Sequence, residues 1–328
     1  MNVMCWGEFN NSDSPQTIKA QFHFNYWPQV ASEQSEEESY FDIGVKLDSN
    51  ENLTSLAFWF SKEFEYPGNV ARHFQDLGNR IKDKETASLV FNEALKVTAD
   101  GQKPKQTDVT LTGTGESFII YELSDSNVKI DDNKFGGSTL LISLEQLTNQ
   151  QINKPIYIRF RLKGAFLKDI EKKIVVKNKL LQSAFTETSY IDFRFNDIRS
   201  CNKDLQEYLV KRNTQLEISK VHFLFMARSD EEVIAYEPIS SRILEAKAWE
   251  SYLGCAINQV CVAYHWRIDA EKLHQNSCII SARYKVLRCN GVTIALYIVI
   301  LILINLASSF LYEHLLSWIS AILSIFSK

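Results

Sequence analysis

The segment Ala20-Gln21-Phe22-His23-Phe24-Asn25-Tyr26 decides how this chain is read. Apolar side chains at 20, 22, 24 and 26 alternate with polar ones at 21, 23 and 25. A period of two puts each set on its own face of an extended strand, so the segment predicts a strand with one face in a core. Phe41, Ile43, Val45 and Leu47 repeat the pattern, as do Leu56, Phe58 and Phe60. TDVTLT and SFIIYEL flank Gly113-Thr114-Gly115-Glu116, which reads as a hairpin turn. Further strands are expected at 156–162, 173–176, 190–195, 216–225, 260–266 and 278–286. The total is roughly eleven or twelve.

Helical spacing is rarer. Val70, Phe74, Leu77 and Ile81 fit one helix, and 202–212, 240–253 and 85–97 fit three more. In the 240–253 segment, Ile243, Ala246, Trp249 and Leu253 share a face. Strands mostly adjoin strands, and strand-helix-strand alternation is scarce. The expected fold is α+β and β-rich, with mostly antiparallel, sandwich-like sheets and a few packed helices. Three segments are expected: an N-terminal β-rich unit at 1–150, an α+β unit at 151–289 and a C-terminal membrane segment at 290–328. The polar stretch 147–154 marks the first boundary. The acidic run 33–39 and the polar stretch 99–106 read as solvated loops.

The membrane segment rests on 292–311, VTIALYIVILILINLASSFL, which carries no charge and no proline. Twenty residues at 1.5 Å each span roughly 30 Å, the thickness of a bilayer's hydrocarbon core. The start, MNVMCWGEFNNSDSPQT, lacks the basic, apolar and cleavage regions of a secretory signal. Arg283, Lys285 and Arg288 precede the apolar run, and positive flanks stay in the cytoplasm. The expectation is a tail-anchored, single-pass protein facing the cytosol, with a bacterial inner membrane as the compatible site. Six irregularly spaced cysteines fit a reducing compartment better than a disulfide framework.

Beyond the span, Ser317, Ser320 and Ser324 share a helical face that extends back through Glu313 to Ser309 and Asn305. Two arrangements fit. The helix breaks near Tyr312-Glu313-His314 and leaves an amphipathic tail in the interface. Otherwise it continues, and several chains associate through the polar stripe. Serines tolerated near a membrane surface are the plain alternative.

Composition is globular, with 45% hydrophobic and 23% charged residues, and the formal charge of −4 argues against generic nucleic-acid binding by the whole chain. No catalytic motif emerges. Gly113-Thr114-Gly115 lacks GK[ST] and a following helix, so it is a poor phosphate loop. Cys255, Cys261, His265, His274, Cys278 and Cys289 cluster in sequence but lack a zinc knuckle. Asp192, Asp197 and the Glu245-Ala246-Lys247 triplet fall short of a metal nuclease centre, because i and i+2 diverge on a helix. No cofactor and no metal is assigned.

The strongest local signal is basic. Between Lys154 and Lys179 nine Lys or Arg stand against two acids, a net of +7. Arg159, Arg161 and Lys163 alternate with Ile158, Phe160 and Leu162, which places three cations on one strand face. One reading is an anion site for a phosphate-bearing ligand, a nucleic-acid strand or lipid headgroups. The other is a face neutralised by acids on a neighbouring strand.

These features lead to a non-enzymatic expectation: a cytosolic β-rich domain binds a protein partner or anionic ligand and couples it to the lipid membrane. A membrane-perturbing effector of bacterial anti-phage defence has this layout, as an analogy of architecture only. The alternatives are a tethered scaffold, with a protein partner or a second copy of the chain, and a membrane-bound hydrolase or nuclease.

Overall fold

In the computed structural model, the alternation at Ala20–Tyr26 becomes one strand of a two-sheet sandwich, with Phe22, Phe24 and Tyr26 fully buried between the sheets. The structure describes residues 1–10, 17–30, 38–66, 68–98, 105–132, 135–145, 154–174, 186–212, 216–235, 240–257, 260–274, 276–287 and 291–326. The expected loops at 33–39 and 99–106 and the boundary at 147–154 lie largely outside them. So does the expected strand 173–176 beyond Ile174.

The described strands are β1 (Asn2–Phe9), β2 (Lys19–Val30), β3 (Glu38–Leu47), β4 (Leu53–Phe60), β5 (Phe74–Asp76) and β6 (Leu95–Thr98). They continue as β7 (Gln106–Leu111), β8 (Ser117–Tyr121), β9 (Val128–Asp132), β10 (Ser138–Ser143), β11 (Ile156–Lys163) and β12 (Glu171–Lys173). The rest are β13 (Thr186–Phe195), β14 (Glu217–Arg228), β15 (Glu231–Ala235), β16 (Ser240–Ile243), β17 (Cys261–Asp269) and β18 (Cys278–Leu287). The helices are α1 (Val70–His73), α2 (Lys84–Phe91), α3 (Lys203–Arg212), α4 (Ala246–Leu253) and α5 (Gly291–Phe326).

The first sheet runs β15-β18-β13-β1-β4-β10-β9, with β12 beside β13. The second runs β16-β17-β14-β2-β3-β11-β8-β7-β6, with β5 beside β11. Most of the described pairs are antiparallel, but β1/β13, β2/β14 and β8/β11 are parallel, so both sheets are mixed. β7 and β8 form the expected hairpin around Gly113–Glu116.

The inner faces meet through aromatic rings. Phe22 packs on Phe58 and Phe195, and Phe24 on Phe193 and Phe195. Such rings bury large apolar areas and favour the offset and edge contacts seen here. The outer face of the first sheet, with Met4, Trp6, Ala57 and Trp59, is covered by Leu205 and Leu209 of α3. The outer face of the second, including Leu95 of β6 and Val109 of β7, is covered by α2 and α4, which supply Ala87, Trp249 and Tyr252. The result is four layers: helix, sheet, sheet, helices.

Residues Met1–Lys173 and Ser189–Tyr284 form one compact unit, and Ile174–Thr188 with Lys285–Lys328 a second. Strands from both sides of residue 150 share both sheets of the first unit, as β1 with β13 and β2 with β14. Three helical expectations are corrected, the first being 85–97, which divides into α2 and strand β6. The 70–81 pattern resolves into α1, β5 and a 3-10 turn Arg80–Lys82, because Phe74–Asp76 pairs with β11. The 240–253 pattern divides into β16 and α4, and Ile243 is an exposed edge-strand residue.

Candidate functional site: a buried cationic face and an exposed apolar helix

β11 carries the three cations on one face, as its period of two requires. Its register with β3 sets Arg161 opposite Asp42 and Arg159 opposite Gly44. Arg161 donates from Nε to Asp42 Oδ1 at 2.6 Å and from Nη2 to Oδ2 at 3.1 Å, a two-pronged ion pair. Asp42 also accepts from Tyr252 Oη at 2.8 Å and from Trp27 Nε1 at 3.0 Å. Arg159 meets neutral oxygens: Tyr252 Oη at 2.7 Å and Tyr157 Oη at 2.9 Å. With the Asn25 amide oxygen turned inward, Arg159 Nη2 donates to it at 2.8 Å.

The expectation of an open cationic face is therefore corrected. Arg159 and Arg161 are 1% and 0% exposed. Helix α4 lies over them, and an acid on the adjacent strand neutralises one. Lys163 sits at the edge of the cluster with its ammonium over the Tyr40 ring. Gly44 makes this packing possible. A Cβ there would come within 2.9 Å of Tyr157 Cζ and 3.0 Å of Arg159 Nη1.

The cluster also fixes the end of α4. Arg161 Nη1 donates to the Leu253 carbonyl at 3.0 Å, and Arg80 Nη1 to the Tyr252 carbonyl at 2.6 Å. Guanidinium groups at the last carbonyls complement the negative end of the helix dipole. Gly254, at φ +76°, closes the helix with its N–H on the Glu250 carbonyl.

Burial alone raises the pKa of Asp42, but the charge and hydrogen bonds of Arg161 outweigh it and hold the carboxyl below its usual range. Burial pushes the Tyr157 and Tyr252 phenols up, so both remain protonated. Burial works against the charge on Arg159, yet the surrounding oxygens raise its pKa further. One carboxylate thus serves two buried guanidinium groups, and phenol and amide dipoles solvate the second.

Three histidines continue the polar row across the same face. His23 Nδ1 lies 3.3 Å from Tyr157 Oη, and its ring meets His222 edge-on at 4.9 Å. His222 Nδ1 lies 2.9 Å from His265 Nε2, with the rings stacked. Burial is the first cause that lowers all three, and His222 falls to about 3. Neutral rings can share one proton in such a bond.

The remaining sequence candidates occupy structural roles. Asp192 pairs with Lys172 and Arg194, and Asp197 with Arg199. Glu245 precedes α4, and no side-chain hydrogen bond caps that helix. Among the described residues, no three His, Cys, Asp or Glu side chains converge to hold a metal ion. Asp42 and Tyr252 are the site residues that spacing alone missed. The available signal was a lone acid and a glycine, with Lys46, at the alternate positions of the strand Phe41 to Leu47.

The second unit carries α5. Its Ile294–Ile325 stretch is 32 residues long, and its most apolar eighteen residues have a mean hydropathy of 2.5 with none of them buried. It is long and apolar enough to cross a membrane. The expected break near Tyr312-Glu313-His314 is absent, and the helix runs through it. Continuity places Asn305, Ser309, Ser317, Ser320 and Ser324 within an arc of about 120°. Ser320 Oγ donates to the Ser317 carbonyl at 2.8 Å and Ser324 Oγ to the Ala321 carbonyl at 2.7 Å. Both hydroxyls are satisfied inside the helix, as an apolar surrounding demands.

No protein family and no curated protein matches this sequence. Solved structures resemble it distantly. An M1 zinc metallopeptidase variant from Deinococcus radiodurans, bound to a Tyr-Ser-Ala substrate, is 7% identical with a TM-score of 0.26. That match covers 83% of this chain and 41% of the other, so the chain spans about two fifths of the peptidase. An acetylcholine-binding protein (AChBP) from Capitella teleta, in complex with lobeline, is 8% identical with a TM-score of 0.18, over 86% of this chain and 89% of the other. Similarity at this level supports no functional argument.

Proposed function

We propose that this chain is a single-pass membrane protein whose α5 helix holds the β-rich unit at the cytoplasmic face as a binding module. The observation that carries the reading is the exposed apolar helix. Lipid is the surrounding that suits the most apolar eighteen residues of this helix, none of which is buried. Arg283, Lys285 and Arg288 before the apolar run, with Glu313 and His314 after it, favour a cytoplasmic domain. The binding role draws on the sandwich unit, whose buried Arg161 is neutralised by Asp42 and whose buried Arg159 is held by phenol oxygens.

The test is alkaline carbonate extraction of bacterial membranes containing the full chain, followed by protease treatment of intact and inverted vesicles. Retention in the membrane, with digestion of the domain only in inverted vesicles, is the expected result. Release by carbonate defeats the anchor. Digestion in right-side-out vesicles reverses the orientation.

A second reading is favoured by the continuity of α5. One unbroken face carrying Asn305, Ser309, Ser317, Ser320 and Ser324 suits helix association, and an associated bundle would make the protein a membrane-perturbing effector.

A further inference from the structure

The sandwich unit has a cleft of about 880 Å³ beside the middle of β1, between the end of β13, the end of β17 and the start of β18. This volume falls within the range that takes a small organic ligand. Its apolar wall includes Met4, Trp6, Leu209 and Ile268, and its mouth carries Arg199, Lys272 and His274.

The hydrogen-bonding balance of this lining is one-sided. Asp197, the carboxylate in the wall, is already engaged by Arg199 at 2.8 Å and by Arg194 at 3.6 Å, and it accepts from the Arg199 N–H. Lys272 and His274 are exposed at the mouth, and neither has an acidic partner within ion-pair distance among the described residues. Deeper in the wall, Trp6 is 2% exposed, and its indole N–H has no acceptor among the described residues, as is also true of Trp59 and Trp249. A buried tryptophan N–H ordinarily finds one. The mouth thus offers an ammonium and an imidazole without an acidic partner among the described residues, while the acid in the wall is satisfied.

The two thiols in the wall are not reactive groups. Burial pushes the Cys278 thiol up to about 12 and the Cys5 thiol well up, and the thiolate is the nucleophilic form. The lining therefore suits binding and not covalent chemistry.

We infer that this cleft binds a small amphipathic anion, with a phosphate or carboxylate head at Lys272 and His274 and an apolar body against Met4, Trp6 and Ile268. The head supplies the charge that the mouth lacks. The body covers the half-buried Ile268 and the 46% exposed Ile279. The inference rests on the sandwich unit alone and does not depend on where α5 sits.

The probe is 1-naphthyl phosphate, titrated by calorimetry into the full chain in phosphatidylcholine nanodiscs, with empty nanodiscs as the blank. Saturable binding of one probe per chain is expected, at least tenfold tighter than 1-naphthol. Lys272→Ala with His274→Ala should weaken it at least tenfold without moving the melting temperature, since both side chains are exposed. A second arm uses nanodiscs with 30% phosphatidylglycerol (a test composition of the order used to load anionic headgroups). Loss of probe capacity there assigns the site to lipid headgroups, and retained capacity assigns it to a free anion. Either supports the inference. No saturable binding in both nanodiscs, equal affinity for 1-naphthol, or unchanged affinity in the double variant overturns it.

Discussion

Arg161 and Asp42 stand directly opposite one another on β11 and β3, and neither side chain is exposed. A strand face that reads as cationic from its own sequence is thereby half-neutralised from the next strand. Removing one member leaves a buried charge without its partner, which costs about 3–5 kcal/mol. Asp42→Ala should therefore lower stability by that order, and Tyr252 and Trp27 lose an acceptor with it. Arg161→Met combined with Asp42→Leu should recover part of the loss, since an apolar pair of similar volume needs no counter-charge. Urea unfolding midpoints of the two single variants and the double variant check this. Single variants that match the wild type would remove the pair from the account of stability.

The histidine row predicts the pH dependence. His23, His222 and His265 have folded-state pKa values below the ordinary 6.5. The unfolded chain therefore binds more protons between 6.5 and the depressed values. Their stabilising contribution is fully present above pH 6.5 and is lost as pH falls from there towards about 3 for His222. Each contributes a slope of up to about 1.4 kcal/mol per pH unit across its window. Asp42 acts lower. Its contribution is full above the ordinary 3.8 and is lost as pH falls below it. Melting temperatures should thus begin to fall near pH 6, before any loss from Asp42. His222→Phe should flatten that first decline and leave the acidic limb unchanged. An unaltered decline in His222→Phe counts against the row as its source.

Gly44 supplies a steric prediction. Its missing side chain is the space into which Tyr157 and Arg159 fold. Gly44→Ala should destabilise by about 1–3 kcal/mol, the usual cost of overpacking, although alanine is otherwise tolerated in strands. Tyr157→Phe in the Gly44→Ala background removes the closest oxygen and should cost less there than in the wild type. A double-mutant cycle from denaturant midpoints gives the coupling, and strict additivity would separate the two residues.

Much of the sandwich was legible because half-buried strands advertise themselves by alternation, as β2 and β3 do. β1, with the sequence NVMCWGEF, did not. It lies between two neighbours with both faces covered, so Val3 and Cys5 are buried on one side and Met4 and Trp6 on the other. Period two correctly grouped Arg159, Arg161 and Lys163. It could not show that their face is covered, because the counter-ion lies 119 residues away and Tyr252 of α4 93 residues from Arg159. Local spacing also misled at Ile243, where a chance helical interval joined an exposed edge strand to a buried helix face.

Ser320 and Ser324 separate anchoring from membrane activity. Each hydroxyl donates to a carbonyl of its own helix, so insertion needs no partner chain to satisfy it. Ser320→Leu with Ser324→Leu makes the helix more apolar and should leave carbonate-resistant membrane retention within twofold of wild type. Association through the stripe would respond differently, because leucines block the close approach that small residues permit. Membrane potential, followed with a voltage-sensitive dye in bacteria expressing each chain, distinguishes the two. If the wild-type chain depolarises the membrane, the double variant should lose that effect while staying inserted. Depolarisation that survives in the double variant would exclude the stripe as its cause. A wild-type chain that leaves the potential unchanged, with both forms well expressed, excludes an effector active without a trigger and favours the tethered scaffold. The binding properties of the sandwich then become the quantity to measure.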